Sequence, residues 1–281
     1  MLEHKDIFDQ ISKKCSEIIT RSYSTSFSFA IKLLDKKIQS EIHSIYGYVR
    51  LGDEIVDSFH SFNKIELLSE FKQETFKSIK NKISLNPVIN NFQRTVNKYE
   101  IDHKLIKGFI RSMEFDLNKK SYNNKTYEDY ITGSARNVGL MCLKIFCNNN
   151  QKLYDELSPY ANALGSAFQK INFLRDFKDD NLELGRTYFP NLGNEKINNT
   201  IKKEIEKDID KDFNFALIGI RKLPKNSKLG VFIAYNYYWQ LYKNIRKENI
   251  DSLLKKRIRI PNPHKIFIIF YSYIKVKLLN I

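Results

Sequence analysis

The sequence predicts an all-α protein, and three observations carry that prediction. Apolar residues recur at spacings of three and four along most of the chain. Glycine and proline number only 10 and 6 in 281 residues, too few for a loop-rich β protein. Leu, Ile, Lys, Glu and Asn dominate the composition. A hydrophobic share of 42% is enough for a sizeable core, in one large domain or two small ones.

Residues 4–20 read as an amphipathic helix with an apolar stripe of Ile7, Ile11, Cys15, Ile18 and Ile19. The next segment, RSYSTSFSFAIKLL, carries Ser22, Ser24, Thr25, Ser26 and Ser28. Such a cluster suits either a hydroxyl-capped helix start or a phosphate-contacting segment, where hydroxyls join helix N-terminal amides. Helical spacing resumes from Lys36 to Phe59 through Ile38, Ile42, Ile45, Tyr46, Val49, Ile55 and Val56. Further helices are expected over 64–80, 86–98 and 102–119. Thr126 is the expected cap of a helix running on through ITGSARNVGLMCLKIF, where Gly133, Ser134, Ala135 and Gly139 permit either a close crossing or room for a ligand.

Residues 152–182 are expected to form one long central helix, with Pro190 and Gly193 as punctuation beyond it. Helices over 195–223 and 226–247 follow, divided by Pro224. The second of them holds Phe232, Tyr235, Tyr237, Tyr238, Trp239 and Tyr242, which either pack a core or turn ring faces toward a cation. The tail, about 262–281, pairs basic residues with an apolar helix that is too short and too charged to span a bilayer. It either packs on the body or lies on a membrane.

The net charge of +15 is compatible with a solvated basic surface or with a preference for anions: nucleic acid, anionic membrane or phosphorylated substrates. Lysines are spread along the whole chain and no nucleic-acid module is recognisable, so nucleic acid is the weakest of these partners. Cys15, Cys142 and Cys147 form no metal or disulfide pattern, which fits buried thiols in a reducing cytoplasm. The first residues lack the apolar core of a signal peptide.

Two carboxylate pairs then stand out. Asp53 and Asp57 share a helical face with Tyr46 and Arg50. Gln169, Asn172, Asp176 and Asp180 are spaced three, four and four, with Arg175 and Arg186 nearby. Acidic residues inside an apolar helix are costly to bury unless a cation compensates them; a solvated acidic face is the alternative. Opposed carboxylates without zinc-type ligands suit a hard cation such as Mg²⁺, which takes one or two carboxylates and completes its shell with water and substrate phosphate. Arginines and hydroxyls would hold the outer oxygens of a diphosphate leaving group, and an aromatic-lined helical cavity would shield a carbocation from water.

These residues resemble the squalene and phytoene synthase family. Tyr46, Arg50, Asp53 and Asp57 look like its first aspartate-rich motif, and Gln169, Asn172, Arg175, Asp176, Asp180, Arg186, Tyr188 and Pro190 like its second. The segment Tyr23, Ser24, Thr25, Ser26, Phe27 sits where the family has its hydroxyl-rich diphosphate segment. Glu114 to Leu117, Tyr130 to Gly139 and Tyr238 match further elements, so the likeness covers roughly residues 20–270.

The resemblance implies one isoprenoid synthase domain over 1–281, a helical bundle with a central cavity. It implies Mg²⁺ (or Mn²⁺) held by Asp53, Asp57, Asn172, Asp176 and Asp180, with Tyr46 and Arg50 also catalytic. Tyr23, Ser24, Ser26, Phe27, Gln169, Asn172, Arg175, Arg186, Tyr188 and Tyr238 would bind substrate. The implied reaction is head-to-head condensation of two prenyl diphosphates through a cyclopropyl diphosphate. Two geranylgeranyl diphosphates would give phytoene without NADPH; the alternative is dehydrosqualene or squalene from farnesyl diphosphate. A cytoplasmic enzyme, peripheral on the inner membrane, is the matching location.

Three departures from the family pattern are visible. Glu54 replaces the second aspartate of D-D-x-x-D, the stretch Asn181 to Gly185 is one residue longer, and Arg136 stands where glycine is common. A non-catalytic, membrane-associated assembly factor of the same family would be expected to have lost carboxylates, whereas all four are retained here.

Overall fold

A computed structural model describes residues 4–118, 122–178, 188–190 and 198–278. Its first half comprises α1 (His4–Tyr23), α2 (Thr25–Lys32), α3 (Lys36–Asp57), α4 (Lys64–Asn81), α5 (Pro87–Tyr99), α6 (His103–Asn118) and α7 (Asn124–Ile131). A π-helical turn, Thr132–Arg136, joins α7 to α8 (Asn137–Phe146). Next come α9 (Gln151–Arg175), α10 (Asn199–Lys222), α11 (Lys225–Arg246), α12 (Ile250–Lys255) and α13 (Asn262–Leu278). There is no strand among the described residues.

Asparagine explains many of the boundaries. Asn63, Asn86, Asn123, Asn150, Asn198 and Asn249 are N-caps whose side-chain oxygens accept from otherwise unpaired first-turn amides. At α5, Pro87 follows its cap as the first helical residue, where a missing N–H costs nothing. The expectation that Thr126 caps α7 is corrected: Asn123 is the cap, and Thr126 closes a reciprocal capping box by accepting from the Asn123 amide.

Helix α1 overturns the apolar stripe read from its sequence. Ile7, Ile11 and Ile18 are exposed, and the buried face is Asp9, Ser12, Ser16 and Thr20. Asn90 of α5 donates to Asp9 (3.0 Å) and Ser12 (3.1 Å), Asn91 donates to Ser16 (3.0 Å), and Arg94 pairs with Asp9. Small hydroxyl side chains also permit close approach, since a Cβ on Gly47 of α3 would lie 3.3 Å from Ser16. Fully paired polar contacts therefore replace the apolar face at this junction.

Two apolar clusters hold the remainder. One gathers α3 to α6 and α8 around Tyr48, Phe92, Phe109 and Met113, with Tyr48 and Phe92 stacked at 3.6 Å. The other gathers α7 and α9 to α13 around Ile171, Leu174, Phe213 and Tyr242. Helix α9 packs against α8, the π turn, α10 and α11, and Lys170, almost fully buried, pairs across to Asp208 and Asp212 of α10. A cavity of about 670 Å³ opens between the clusters, within the range of ligand sites. No helix among the described residues is long and apolar enough to cross a membrane.

Candidate active site

The cavity is walled by α2 and α3 on one side and by α8, α9, α10 and α11 on the other. Helix α3 brings Tyr46, Arg50, Asp53 and Asp57 to it, as their spacing predicts. Helix α9 brings Gln169, Asn172, Arg175 and Asp176. Tyr23, Ser24, Phe27, Tyr188 and Tyr238 complete the predicted set that lines it. Ser26 does not: it lines a neighbouring groove beside Phe27. Asp180 and Arg186, with the Asn181 to Gly185 stretch, lie outside the described residues.

The α3 carboxylates sit in a field of their own making. Burial, with Asp57 and Asp116 nearby, pushes the Asp53 carboxyl up to about 8, against a smaller downward pull from Arg50. Arg50 is committed elsewhere, to an ion pair with Glu54 and a seat 4.2 Å over the Tyr23 ring. Glu54 thus keeps the acidic charge of the usual aspartate but turns it onto Arg50. Beside it, burial raises the Tyr46 hydroxyl to about 12, so it remains a proton donor at neutral pH.

The α9 end is built differently. The helix stops at Arg175, and Asp176 is its C-cap at φ −95°, ψ 8°, so the expected continuous helix over 152–182 is broken within the aspartate motif. The stripe Gln169, Asn172, Asp176 still reaches the cavity. Arg175 donates to both oxygens of Asp176, at 2.9 and 2.5 Å, and the Nε of Arg257 lies 2.8 Å from Oδ1. Arg257, from the stretch after α12, also lines the cavity. Its signal in the sequence was only a basic run, Lys255 to Arg259, with nothing to bring it to Asp176.

A second feature is Asp116, which lies in the Glu114 to Leu117 element and to which the sequence assigned no role. This buried α6 carboxylate accepts from Tyr122 (3.2 Å), Tyr188 (3.0 Å) and Tyr130 (2.8 Å). Tyr130 and Tyr188 reach the cavity wall, and Phe173 stacks on Tyr188 at 4.3 Å. Burial and the Asp116 charge hold the Tyr130 hydroxyl well above the usual phenol range. The clue in the sequence was the Glu114 to Leu117 element, where Asp116 is flanked by the apolar Phe115 and Leu117.

Ser24 caps α2, its Oγ accepting from the Phe27 amide at 3.2 Å, and the residue also faces the cavity. From there an aromatic wall runs inward. Phe27 lies 5.8 Å from Tyr46 and 6.0 Å from Tyr238, Tyr238 stacks on Phe168 at 3.8 Å, and its hydroxyl donates to Asn172 Oδ1 at 3.2 Å. The small residues at the π turn serve both roles left open by the sequence. A Cβ on Gly133 would stand 2.4 Å from the Gly108 carbonyl oxygen, a close crossing, while Ser134, Ala135 and Gly139 line the cavity. Arg136 points elsewhere, to Glu128 (2.8 Å) and Ser166 (3.0 Å), and is not part of the lining.

Among the described residues no three His, Cys, Asp or Glu side chains converge as a metal cage. The donor set suits a magnesium-type ion nonetheless, because such an ion needs only one or two carboxylates when substrate phosphate supplies further oxygens. Asp53, a carboxyl raised by burial and by the nearby Asp57, and Asp57 one helical turn on, meet that requirement as oxygen donors.

The model of the family described as squalene/phytoene synthase matches residues 20–264. A phytoene synthase of Arthrospira platensis is 25% identical over 290 aligned positions, covering 93% of this chain and 92% of that one. A 4,4'-diapophytoene synthase of Staphylococcus haemolyticus is 25% identical over 198 positions, 68% of this chain and 66% of that one. Among solved structures, a dehydrosqualene synthase superposes with a TM-score of 0.79 at 16% identity, covering 96% of this chain and 98% of that one. A squalene synthase from Alicyclobacillus acidocaldarius gives 0.75 at 19% identity, over 86% and 95% of the two chains. These structural likenesses place the all-α isoprenoid synthase fold.

Proposed function

The chain belongs to the squalene/phytoene synthase family of prenyltransferases, and on that premise we propose that it condenses two geranylgeranyl diphosphates head to head into phytoene. The observation that carries the proposal is the meeting, in one aromatic-lined cavity, of the α3 carboxylates with the end of α9, where Arg175 and Arg257 flank Asp176.

In this reading Asp53, Asp57, Asn172, Asp176 and Asp180 would hold Mg²⁺ or Mn²⁺. The ion would neutralise charge developing on the departing diphosphate. Arg50, Arg175 and Arg257 carry the cationic charge that binds its outer oxygens, joined by Tyr23, Ser24 and Gln169 at the wall. Release of diphosphate leaves an allylic cation, which is captured at C1 by the C2–C3 double bond of the second substrate, and loss of a proton to the released diphosphate closes the ring to a cyclopropyl diphosphate. A second ionisation and rearrangement join the two C1 carbons, and loss of a proton ends the reaction. The faces of Phe27, Tyr46, Phe168 and Tyr238 stabilise positive charge and exclude water. Tyr130 and Tyr188, fixed by Asp116, present a rigid polar edge.

A second reading has specific support: formation of dehydrosqualene or squalene from farnesyl diphosphate. One relative is a 4,4'-diapophytoene synthase, and one solved neighbour is a dehydrosqualene synthase. We place the enzyme in the cytoplasm, peripheral on the inner membrane, because its hydrocarbon product partitions into lipid. Incubating the purified protein and Mg²⁺ with each diphosphate, with and without NADPH, separates the readings. A C40 hydrocarbon from geranylgeranyl diphosphate alone supports the first. A C30 hydrocarbon formed only from farnesyl diphosphate replaces it with the second.

A further inference from the structure

Helix α13 has two unlike faces. Ile268 and Ser272 are buried against α11, where Asn236 donates to the Ser272 hydroxyl at 2.9 Å and that hydroxyl donates to the Ile268 carbonyl at 2.6 Å. The other face leaves Ile266, Phe267 and Phe270 each more than 60% exposed, with Tyr271 and Tyr273 also exposed. Bare aromatic and branched side chains on consecutive turns are uncommon on a soluble surface without a partner.

Charge selects that partner. From residue 255 to the last residue the chain carries Lys255, Lys256, Arg257, Arg259, Lys265, Lys275 and Lys277 and no acidic residue. Lys265 stands near one end of the exposed face and Lys275 and Lys277 near the other. Apolar aromatics flanked by lysines, on a helix that cannot span, suit the interface of a bilayer rich in anionic lipid.

The same helix roofs a groove of about 340 Å³, lined by apolar residues including Phe29, Ile233, Ile266 and Ile269. Phe27, Ala234 and Tyr238 line both this groove and the main cavity. Phe29, itself exposed on α2, extends the apolar surface to the other bank.

We infer that α13 docks on an anionic bilayer and that the groove beneath it is the passage between the lipid and the main cavity for long hydrocarbon chains. The docking stands on its own; the passage rests on the prenyltransferase reading above.

The test uses the full chain with vesicles of phosphatidylcholine alone or mixed equally with phosphatidylglycerol. Wild-type protein should cosediment with the mixed vesicles, more weakly at high salt, and poorly with phosphatidylcholine. Replacing Phe267→Ser together with Phe270→Ser should weaken this at least tenfold, with the thermal melt unchanged because both side chains are exposed. Unaltered binding by that variant, or equal binding to both vesicle types, overturns the docking. So does a wild-type dimer in sedimentation that the variant converts to monomer, since a second copy would then be the occupant. For the passage, Ile269→Trp fills the groove without touching the main cavity. It should leave vesicle binding and single-turnover hydrocarbon formation unchanged and slow hydrocarbon transfer to vesicles several-fold; undiminished transfer overturns it. Absence of any hydrocarbon product would count against the prenyltransferase reading while leaving the cosedimentation result intact.

Discussion

The two aspartate-bearing regions of the cavity look alike in sequence and differ in physics. Asp53 lies one turn before the end of α3, in the company of Asp57 and Asp116, while Arg50 beside it is engaged by Glu54. Asp176 lies where α9 ends and is neutralised by Arg175 and Arg257. One carboxylate is destabilised by its surroundings and gains when a cation arrives. The other is already paired, and its partners are the groups that would meet phosphate. The spacing that defines both motifs records where side chains can point, not what charge they meet on arrival.

The largest effect that sharpens this contrast is expected at Asp53. Asp53→Asn should lower product formation by about 10³-fold, the scale of removing a principal group that stabilises developing charge. It should also raise the melting temperature of the metal-free protein at pH 8. The folded protein holds the Asp53 proton up to about pH 8, whereas the unfolded chain releases it near the ordinary carboxylate value of 3.8. Stability from this group is therefore present at low pH and is lost as pH climbs from about 4 to about 8. A differential scanning series from pH 5 to pH 9 should show that slope in the wild type and a flatter one in the variant.

Asp176→Ala should also abolish most activity, yet with the opposite effect on stability. Arg175 and Arg257 lose charge-assisted partners, and the metal-free protein should be weaker by about 2 kcal/mol in denaturant titration. Equal stability shifts in the two variants would erase the distinction between the regions. Smaller again is Arg257→Ala, expected to raise KM by about tenfold through one lost charge-assisted contact to diphosphate. Least consequential is Asn150→Ala, which removes the α9 N-cap and should cost about 1 kcal/mol without altering KM.

The fold was largely legible because helical periodicity is a local property. The α3 motif was legible for the same reason: Tyr46, Arg50, Asp53 and Asp57 lie on one unbroken helix, so spacing alone sets their direction. The second motif misled at Asp176, since no glycine or proline marks the break and the polar stripe continues as if the helix did. The π turn at Thr132–Arg136 is hidden likewise in residues that an α-helix accepts.

Helix α1 failed in another way. Its isoleucines obey the apolar period, but Asp9, Ser12 and Ser16 face α5 because Asn90, Asn91 and Arg94 meet them there. Partners from distant segments decide such contacts. The same holds for Asp116, whose three tyrosines come from residues 122, 130 and 188, and for Arg257, far from Asp176 in the chain. Pairwise chemistry across the fold is what a single sequence conceals.

The most direct test of the central claim is hydrocarbon analysis of the wild type, Asp53→Asn and Asp176→Asn, each incubated with Mg²⁺ and geranylgeranyl or farnesyl diphosphate. A head-to-head C40 or C30 hydrocarbon from the wild type, nearly absent from both variants, is the predicted result. Undiminished hydrocarbon from either variant, or none from the wild type with either diphosphate, would contradict it.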